Sequence, residues 1–452
     1  MRVHFIAVGG AVMHNLAIAL HKKGYKVTGS DDEIFDPALS RLQSHGLLPD
    51  DQGWYLDRIT PDTDRVILGM HARKDNPELL RARELGVPVL SFPEYLYEQT
   101  RDKRRIVIAG SHGKTTITAM VMHVLKYCGL EFDYMAGSQV EGFDDMVHLS
   151  DKSKIAVFEG DEYLTSPLDP RPKFHLYRPH IAVINGIAWD HINVFPDPEI
   201  YREQFAIFAG MIEKGGELIW YSNDPETAGI AGKANSDVIS KPYGIHGYFI
   251  NRKGFFAATE NRVVPLKIFG EHNMQNLSAA KAVCLSAGVN EDQFYDAIKG
   301  FRGAARRLQL IEESEDSALY LDFAHAPSKV KATVEAVAER YPRHRIVAIL
   351  ELHTYSSLNS RFISEYCNTL QQADRSIIYI NRHAAALKKM EIPSMEVIKK
   401  AFGDDTIRVI TDRNELEKEI PGLKSPSTVF LMMSSGDFDG MDIRTFAGKV
   451  IS

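Results

Sequence analysis

A chain of 452 residues is too long for one ordinary hydrophobic core, and its length favours about three domains. Apolar residues make up 44% and charged residues 25%, the balance of a globular protein with room for large cores. The net charge of −7 argues against a surface built for nucleic acid.

The first residues carry too short an apolar run for a signal peptide and no small-residue cleavage site. Residues 3–8 read instead as a first strand, followed by the glycine turn Gly9-Gly10, a helix over 12–23 and a second strand over 26–29. Strands are also expected at 66–68 and 87–90. The densest basic cluster, Arg101 to Arg105, is interrupted by Asp102 and reads as a solvated linker closing a first unit, 1–101. A second unit, 102–300, opens with a strand over 105–109, the run Gly110 to Thr116, and a helix reaching about Cys128. Strands follow at 155–158, 181–185 and 217–221. Short aromatic strands over 243–268 read as an antiparallel addition, and a helix over 273–287 closes the unit. The third unit, 301–452, carries strands at 319–322, 346–351, 377–380 and 429–433, with helices between them such as 327–340. Strands alternating with helices throughout predict three successive α/β domains with largely parallel sheets. No stretch approaches the ~18 apolar residues of a membrane span. Cys128, Cys284 and Cys367 lie too far apart for a disulfide framework or a zinc site. A cytoplasmic protein with reduced thiols and no membrane insertion is expected.

The strongest local signal is Gly110-Ser111-His112-Gly113-Lys114-Thr115-Thr116, placed between a strand and a helix. Such a loop turns backbone N–H groups inward, and the helix N-terminus adds partial positive charge, so phosphates bind there. Lys114 would reach the terminal phosphates and Thr115 would offer its hydroxyl to Mg²⁺. The usual additional glycine is replaced by Ile108, so the loop is a shortened variant. Two later strands end in acidic groups, Glu159-Gly160-Asp161-Glu162 and Trp189-Asp190-His191. Ligands collect outside the carboxyl ends of parallel strands, where such groups converge on the phosphates and their metal. At the N-terminus, Gly9-Gly10 and Asp31 follow the order of a dinucleotide fold. Ala7 and Val12 stand where the nicotinamide fingerprint needs glycines, which leaves binding of another nucleotide diphosphate open.

These motifs together resemble the Mur ligase family over nearly the whole chain. The first domain is similar to its UDP-binding domain at Gly9 to Met13, Gly29-Ser30-Asp31 and Asp75 to Glu78. The second matches at Gly110 to Thr116, Glu159 to Glu162, Asn185 through His191, and His272-Asn273-Met274-Gln275-Asn276 beside the adenine. The third matches at Arg306-Arg307 and at Asp322-Phe323-Ala324-His325-Ala326-Pro327. The resemblance implies ATP and Mg²⁺ as cofactors, with ATP held by Gly110 to Thr116, Asn273, Asn276, Arg307, Asp322 and His325. It implies Gly9, Gly10, Ser30, Asp31 and His71 for the UDP-sugar, and Lys114, His191, Arg307 and Asp322 for catalysis. Metal would rest on Thr115, Glu159 and His191, because the site of the family's carbamylated lysine falls near Phe205, with no lysine close by.

The implied reaction joins UDP-N-acetylmuramate to an amine through an acyl-phosphate. Phe35 to Gly46 and the flanks from Asp161 to Pro196 resemble the branch that adds the recycled tripeptide L-alanyl-γ-D-glutamyl-meso-diaminopimelate, over the branch that adds L-alanine. Departures are Ala326 in place of a second histidine, the stretch from His353, and Asp437 and Asp439 in place of two glycines. Those aspartates would bring negative charge to an acidic peptide if their loop faces it. Rival readings are a simple P-loop kinase or NTPase, a non-catalytic nucleotide-binding relative, and a folate-type polyglutamate ligase. The first leaves the third domain unexplained, intact Lys114, Glu159 and His191 speak against the second, and the third lacks a UDP-binding domain. A monomer or weak homodimer is expected, with no nucleic-acid partner.

Overall fold

Apolar, β-branched runs bounded by glycine turns form the buried strands, and helices cover them. The computed structural model describes residues 1–192, 194–251 and 254–451. Close contacts divide the chain into two compact units. The first holds Met1–Ile187, Arg202–Gly244 and Ala279–Ala297; the second holds Ala188–Tyr201, Ile245–Ser278 and Ile298–Ser452.

The first unit contains two sheets. Strands β1 (Arg2–Ile6), β2 (Lys26–Ser30), β3 (Arg65–Leu68) and β4 (Val89–Ser91) are all parallel, in the order β2-β1-β3-β4. The larger sheet has β5 (Arg104–Ala109), β6 (Phe132–Met135), β7 (Val147–His148), β8 (Ile155–Glu159), β9 (Ile181–Ile184), β10 (Glu217–Tyr221) and β11 (Ile239–Tyr243). Its order is β11-β10-β9-β5-β8-β6-β7, and β7 runs antiparallel to β6 while the other pairs are parallel. Ile106 to Ala109 are buried along both faces, which is why β5 reads as a continuous apolar run without alternation. Because β5 lies between β8 and β9, the chain leaves it at the point where the strand order reverses.

In the second unit, β12 (Tyr248–Asn251), β13 (Gly254–Ala258) and β14 (Val263–Leu266) form an antiparallel meander, the aromatic addition expected over 243–268. Its other sheet comprises β15 (Gln309–Glu313), β16 (Ala318–Asp322), β17 (Arg345–Leu352), β18 (Arg375–Ile380), β19 (Arg408–Ile410) and β20 (Thr428–Met433). The order is β15-β16-β20-β17-β18-β19, parallel except at β15. Leu319, Val347, Ile349, Phe430 and Met432 centre one of its cores. At Gly270 (φ +87°) a Cβ would lie 2.4 Å from the Ala336 Cβ, so this contact admits only glycine.

The basic cluster needs correction. Arg105 is 2% exposed and Lys103 6%, so their part of the segment is core and not a solvated linker. The Arg105 guanidinium donates to the carbonyls of Tyr177, Arg178, Thr100, Arg101 and Lys103 at 2.9–3.1 Å. Lys103 Nζ pairs with buried Asp133 at 2.5 Å. Composition suggested solvent, but carbonyl acceptors satisfy the fixed fork of an arginine well enough to hold it inside. Cys128, Cys284 and Cys367 are free thiols, and among the described residues no helix is long and apolar enough to cross a membrane.

Asp145, just before β7, accepts from Lys22 and Arg41 at 2.5 Å each. Burial pushes its carboxyl up, but the Lys22 and Arg41 contacts outweigh that and hold it below the usual aspartate range. A lowered folded-state pKa contributes stability that is complete above the unfolded value of about 3.9 and is lost as pH falls through the folded one. Asp145→Asn should therefore melt below the wild type at neutral pH, and the gap should narrow as pH falls below the unfolded value of about 3.9 in a thermal melt series.

Candidate active site

The glycine loop leaves β5 and enters the helix Lys114–Tyr127. Gly110 has φ +130°, and a Cβ there would lie 2.7 Å from the backbone nitrogen of Asn185. Gly113 is left-handed at φ +72° and caps the helix. Asn185 donates from Nδ2 to the His112 carbonyl at 3.0 Å, and Ser111 N donates to Gly186 O at 2.9 Å. The Tyr243 hydroxyl donates in turn to Asn185 Oδ1. The helix carries no acidic residue in its first turn and no side-chain cap at its start, which suits an anion. Ser111, Thr115 and Thr116 are buried, while His112 is partly exposed.

The acidic stretch beside the loop separates into three tasks. Glu159, at the end of β8, accepts from the Thr115 hydroxyl at 2.7 Å and from Gly137 N at 2.8 Å. Asp161 pairs with Lys173 at 2.5 Å. Glu162, fully buried, accepts from Lys114 Nζ at 2.7 Å, and the same ammonium donates to Gly110 O at 2.7 Å. Burial pushes the Lys114 pKa down, but the carboxylates of Glu162, Asp161 and Glu159 outweigh it and hold the ammonium above the ordinary lysine range. A hydroxyl and a carboxylate, both hard oxygen donors in contact, fit a Mg²⁺ ion that completes its shell with water and phosphate. Among the described residues no group of three or more His, Cys, Asp or Glu comes together as a metal cluster. Phe205, near the site of the family's modified lysine, is buried 5.4 Å from the Phe174 ring.

In the second unit, Asp190 is buried and takes Lys329 Nζ at 2.9 Å on one oxygen and His191 N at 2.8 Å on the other. Burial would raise its pKa, but Lys329, His191 and His325 hold it well below the usual range. His191 itself sits at φ +55°, a conformation uncommon for a non-glycine residue. The His325 ring is driven to about 3 by burial and by Lys329, so it is neutral, with Nδ1 2.9 Å from Phe323 O. Ala326 begins the helix Pro327–Arg340 with no side-chain cap. Asp322, at the end of β16, accepts from Leu308 N at 2.6 Å and Ala324 N at 2.7 Å. The Arg307 guanidinium lies 4.4 Å from the Phe323 ring centre, and Arg306 donates to the carbonyls of Ser434 and Gly436. Asn273 donates to Phe269 O at 2.8 Å and receives Asn276 Nδ2 at 3.3 Å.

At the end of β17, buried Glu351 collects Asn381 Nδ2 at 3.1 Å, Phe438 N at 3.0 Å and the Ser434 hydroxyl. His353 lies 3.1 Å from the Ser435 hydroxyl. Asp437 and Asp439 are exposed on the loop that follows β20.

At the N-terminus, Gly9 N donates to Asp31 Oδ2 at 2.7 Å, and burial raises the Asp31 carboxyl to about 6. Ala7 adopts φ +66°, so the turn keeps its left-handed residue without the glycine that the fingerprint requires. Gly10 precedes the helix Ala11–Lys22. Ser30 donates to buried Glu78 at 2.7 Å and receives Arg58 at 2.8 Å, and His71 is exposed beyond β3.

The expected residues thus fall into sets. Thr115 of the Gly110–Thr116 loop meets Glu159, while Gly9, Gly10, Asp31 and His71 follow β1, β2 and β3 and Ser30 ends β2; both sets belong to the first unit. His191, Asn273, Asn276, Arg307, Asp322 and His325 belong to the second. Gly137, Lys329 and Glu351 were not anticipated, and Glu162 was not singled out from its neighbours. Glu162 sat in an acidic cluster read as a whole, and Gly137 follows a strand, β6, too short to show in the pattern.

Comparison with known proteins finds three family descriptions matched in succession along the chain. The family description Mur ligase family, catalytic domain matches residues 2–104; Mur ligase middle domain matches 108–284; Mur ligase, glutamate ligase domain matches 306–436. The chain is 27% identical to the UDP-N-acetylmuramate–L-alanyl-γ-D-glutamyl-meso-2,6-diaminoheptandioate ligase of Escherichia coli K12, covering 99% of this chain and 98% of that one. It is 30% identical to the UDP-N-acetylmuramate–L-alanine ligase of Chlorobium phaeovibrioides, covering 97% and 96%. The crystal structure of a UDP-N-acetylmuramate–alanine ligase from Thermotoga maritima shares the fold, with a TM-score of 0.72 at 22% identity over 100% of this chain and 98% of that one.

The Thr115–Glu159 contact yields a direct test. Thr115→Val keeps the shape and loses the hydroxyl, so nucleotide-dependent turnover should fall on the order of 10²-fold while the melting temperature stays near wild type. Turnover and a melt on the same preparation check both halves.

Proposed function

The chain belongs to the Mur ligase family and is an ATP-dependent amide-forming ligase of that type, and from this premise we propose that it joins UDP-N-acetylmuramate to the tripeptide L-alanyl-γ-D-glutamyl-meso-diaminopimelate. The observation that carries the chemistry is that Lys114 holds Glu162 and Thr115 holds Glu159 where a glycine loop opens a helix. The choice of amine rests on the resemblance of Phe35 to Gly46 and of the flanks from Asp161 to Pro196 to the tripeptide-adding branch, and the E. coli relative supports it.

In this reading the nucleotide phosphates lie on Gly110 to Thr116, with Asn273, Asn276 and His325 serving the rest of ATP. Mg²⁺, held by Thr115, Glu159 and His191, would supply charge neutralisation on the transferring phosphoryl group. Gly9, Gly10, Ser30, Asp31 and His71 serve the UDP-sugar. The lactyl carboxylate attacks the γ-phosphorus, the bond to the β-phosphate oxygen breaks, and ADP leaves. The amine then adds to the acyl-phosphate carbon and expels phosphate, leaving the amide. Lys114, Arg307 and Asp322 complete the catalytic set, whose work is positioning and electrostatics, as phosphoryl transfer demands. The three segments 1–101, 102–300 and 301–452 would carry UDP-sugar, ATP and amine in turn, in a cytoplasmic monomer or weak homodimer serving peptidoglycan recycling.

A second reading, addition of L-alanine in peptidoglycan biosynthesis, is favoured by the Chlorobium relative. Phosphate release from ATP, Mg²⁺ and UDP-N-acetylmuramate, with either the tripeptide or L-alanine, separates the two. Turnover with the tripeptide alone is expected. Turnover with L-alanine alone moves the assignment to the biosynthetic reaction, and release with neither rejects both.

A further inference from the structure

Glu162 stands three residues beyond the carboxylate that contacts Thr115, fully buried, with the phosphate-loop lysine as its partner. The Lys114 ammonium has three N–H groups. One donates to Gly110 O and one to Glu162 Oε2, both at 2.7 Å, which leaves the third for a phosphate oxygen. A flexible four-carbon arm is thereby fixed at two points. Glu162 is itself held in place by its setting: Asp161, beside it, is anchored by Lys173 at 2.5 Å and receives Tyr163 N at 3.1 Å. Phe174 N donates to the Asp161 carbonyl.

We propose that Glu162 is a positioning residue for the phosphoryl-transfer step, fixing the Lys114 ammonium against Gly110 so that its remaining N–H meets the transferring phosphate without reorganisation. The inference rests on nucleotide binding at the Gly110–Thr116 loop. Glu162 never touches the nucleotide in this account and acts through Lys114. A buried carboxylate cannot surrender a paired cation cheaply, so the lysine stays anchored while the phosphate arrives. Loss of the anchor frees the ammonium to follow the ground-state phosphate but leaves it misplaced in the transition state, where misplacement by about 1 Å can cost 10²-fold.

The test uses full-length wild type and Glu162→Gln, which keeps size and one acceptor but removes the charge. Affinity for a non-hydrolysable ATP analogue with Mg²⁺ is measured beside kcat and KM for ATP in phosphate release. The expected result is analogue affinity and KM within about 3-fold of wild type and kcat lower by about 10- to 100-fold. If Glu162→Gln melts early, Glu162→Asp carries the same test, because it keeps the charge but withdraws the carboxylate by one methylene. An unchanged kcat, or a loss confined to ATP affinity, overturns the proposal. A wild-type protein that does not bind the analogue overturns the nucleotide reading beneath it.

Discussion

A single close approach organises the first unit's site. Gly110 must turn out of β5 at φ +130° while the backbone of Asn185 passes where any side chain would begin. That approach lets Asn185 hold the His112 carbonyl and lets Ser111 bond to Gly186, so the loop is tied to the end of the neighbouring strand β9. With the loop tied down, Lys114 and Thr115 start their helix within reach of the carboxylates that follow β8. The Cβ of any other residue at 110 would push these two strand ends apart, and the separation would reach the contacts of Lys114 and Thr115.

Buried charge is managed by the same economy in both units. Lys114 has Glu162, Lys103 has Asp133, and Asp190 has Lys329. Arg105 has a nest of carbonyls, while Asp322 has backbone amides. Removing one member of such a pair leaves the other as an uncompensated ion, typically a loss of about 3–5 kcal/mol. These groups are therefore fixed in place, which is the property a site for phosphoryl transfer requires.

Much of this was legible in the amino-acid sequence. Continuous apolar runs such as Ile106 to Ala109 announced parallel strands, and Gly110 to Thr116 announced the loop, because glycine spacing and a lysine-threonine pair have few other uses. The aromatic segment at 243–268 was readable as an antiparallel addition. Short strands such as β6, β11 and β19 escaped, since a three- to five-residue strand carries too little periodicity. The charged residues of 101–105 misled, because whether an arginine is buried depends on carbonyls from residues as distant as Tyr177 and Arg178. Glu159 was already set beside Thr115 by the resemblance, but the division of labour between Asp161 and Glu162 was hidden. Neighbouring carboxylates look alike until Lys173 and Lys114 select one each. The same blindness applied to Lys329, whose partner Asp190 lies 139 residues earlier.

The central claim is that the loop carrying Lys114 activates a carboxylate by phosphorylation. Its most direct test supplies UDP-N-acetylmuramate labelled with ¹⁸O in the lactyl carboxylate, together with ATP, Mg²⁺ and the amine that supports turnover. Mass analysis of the released phosphate then reads the path of the oxygen. An acyl-phosphate route transfers one ¹⁸O atom into phosphate for each amide formed. Amide formation with unlabelled phosphate would contradict the account, because the carboxylate oxygen would then have left by another route.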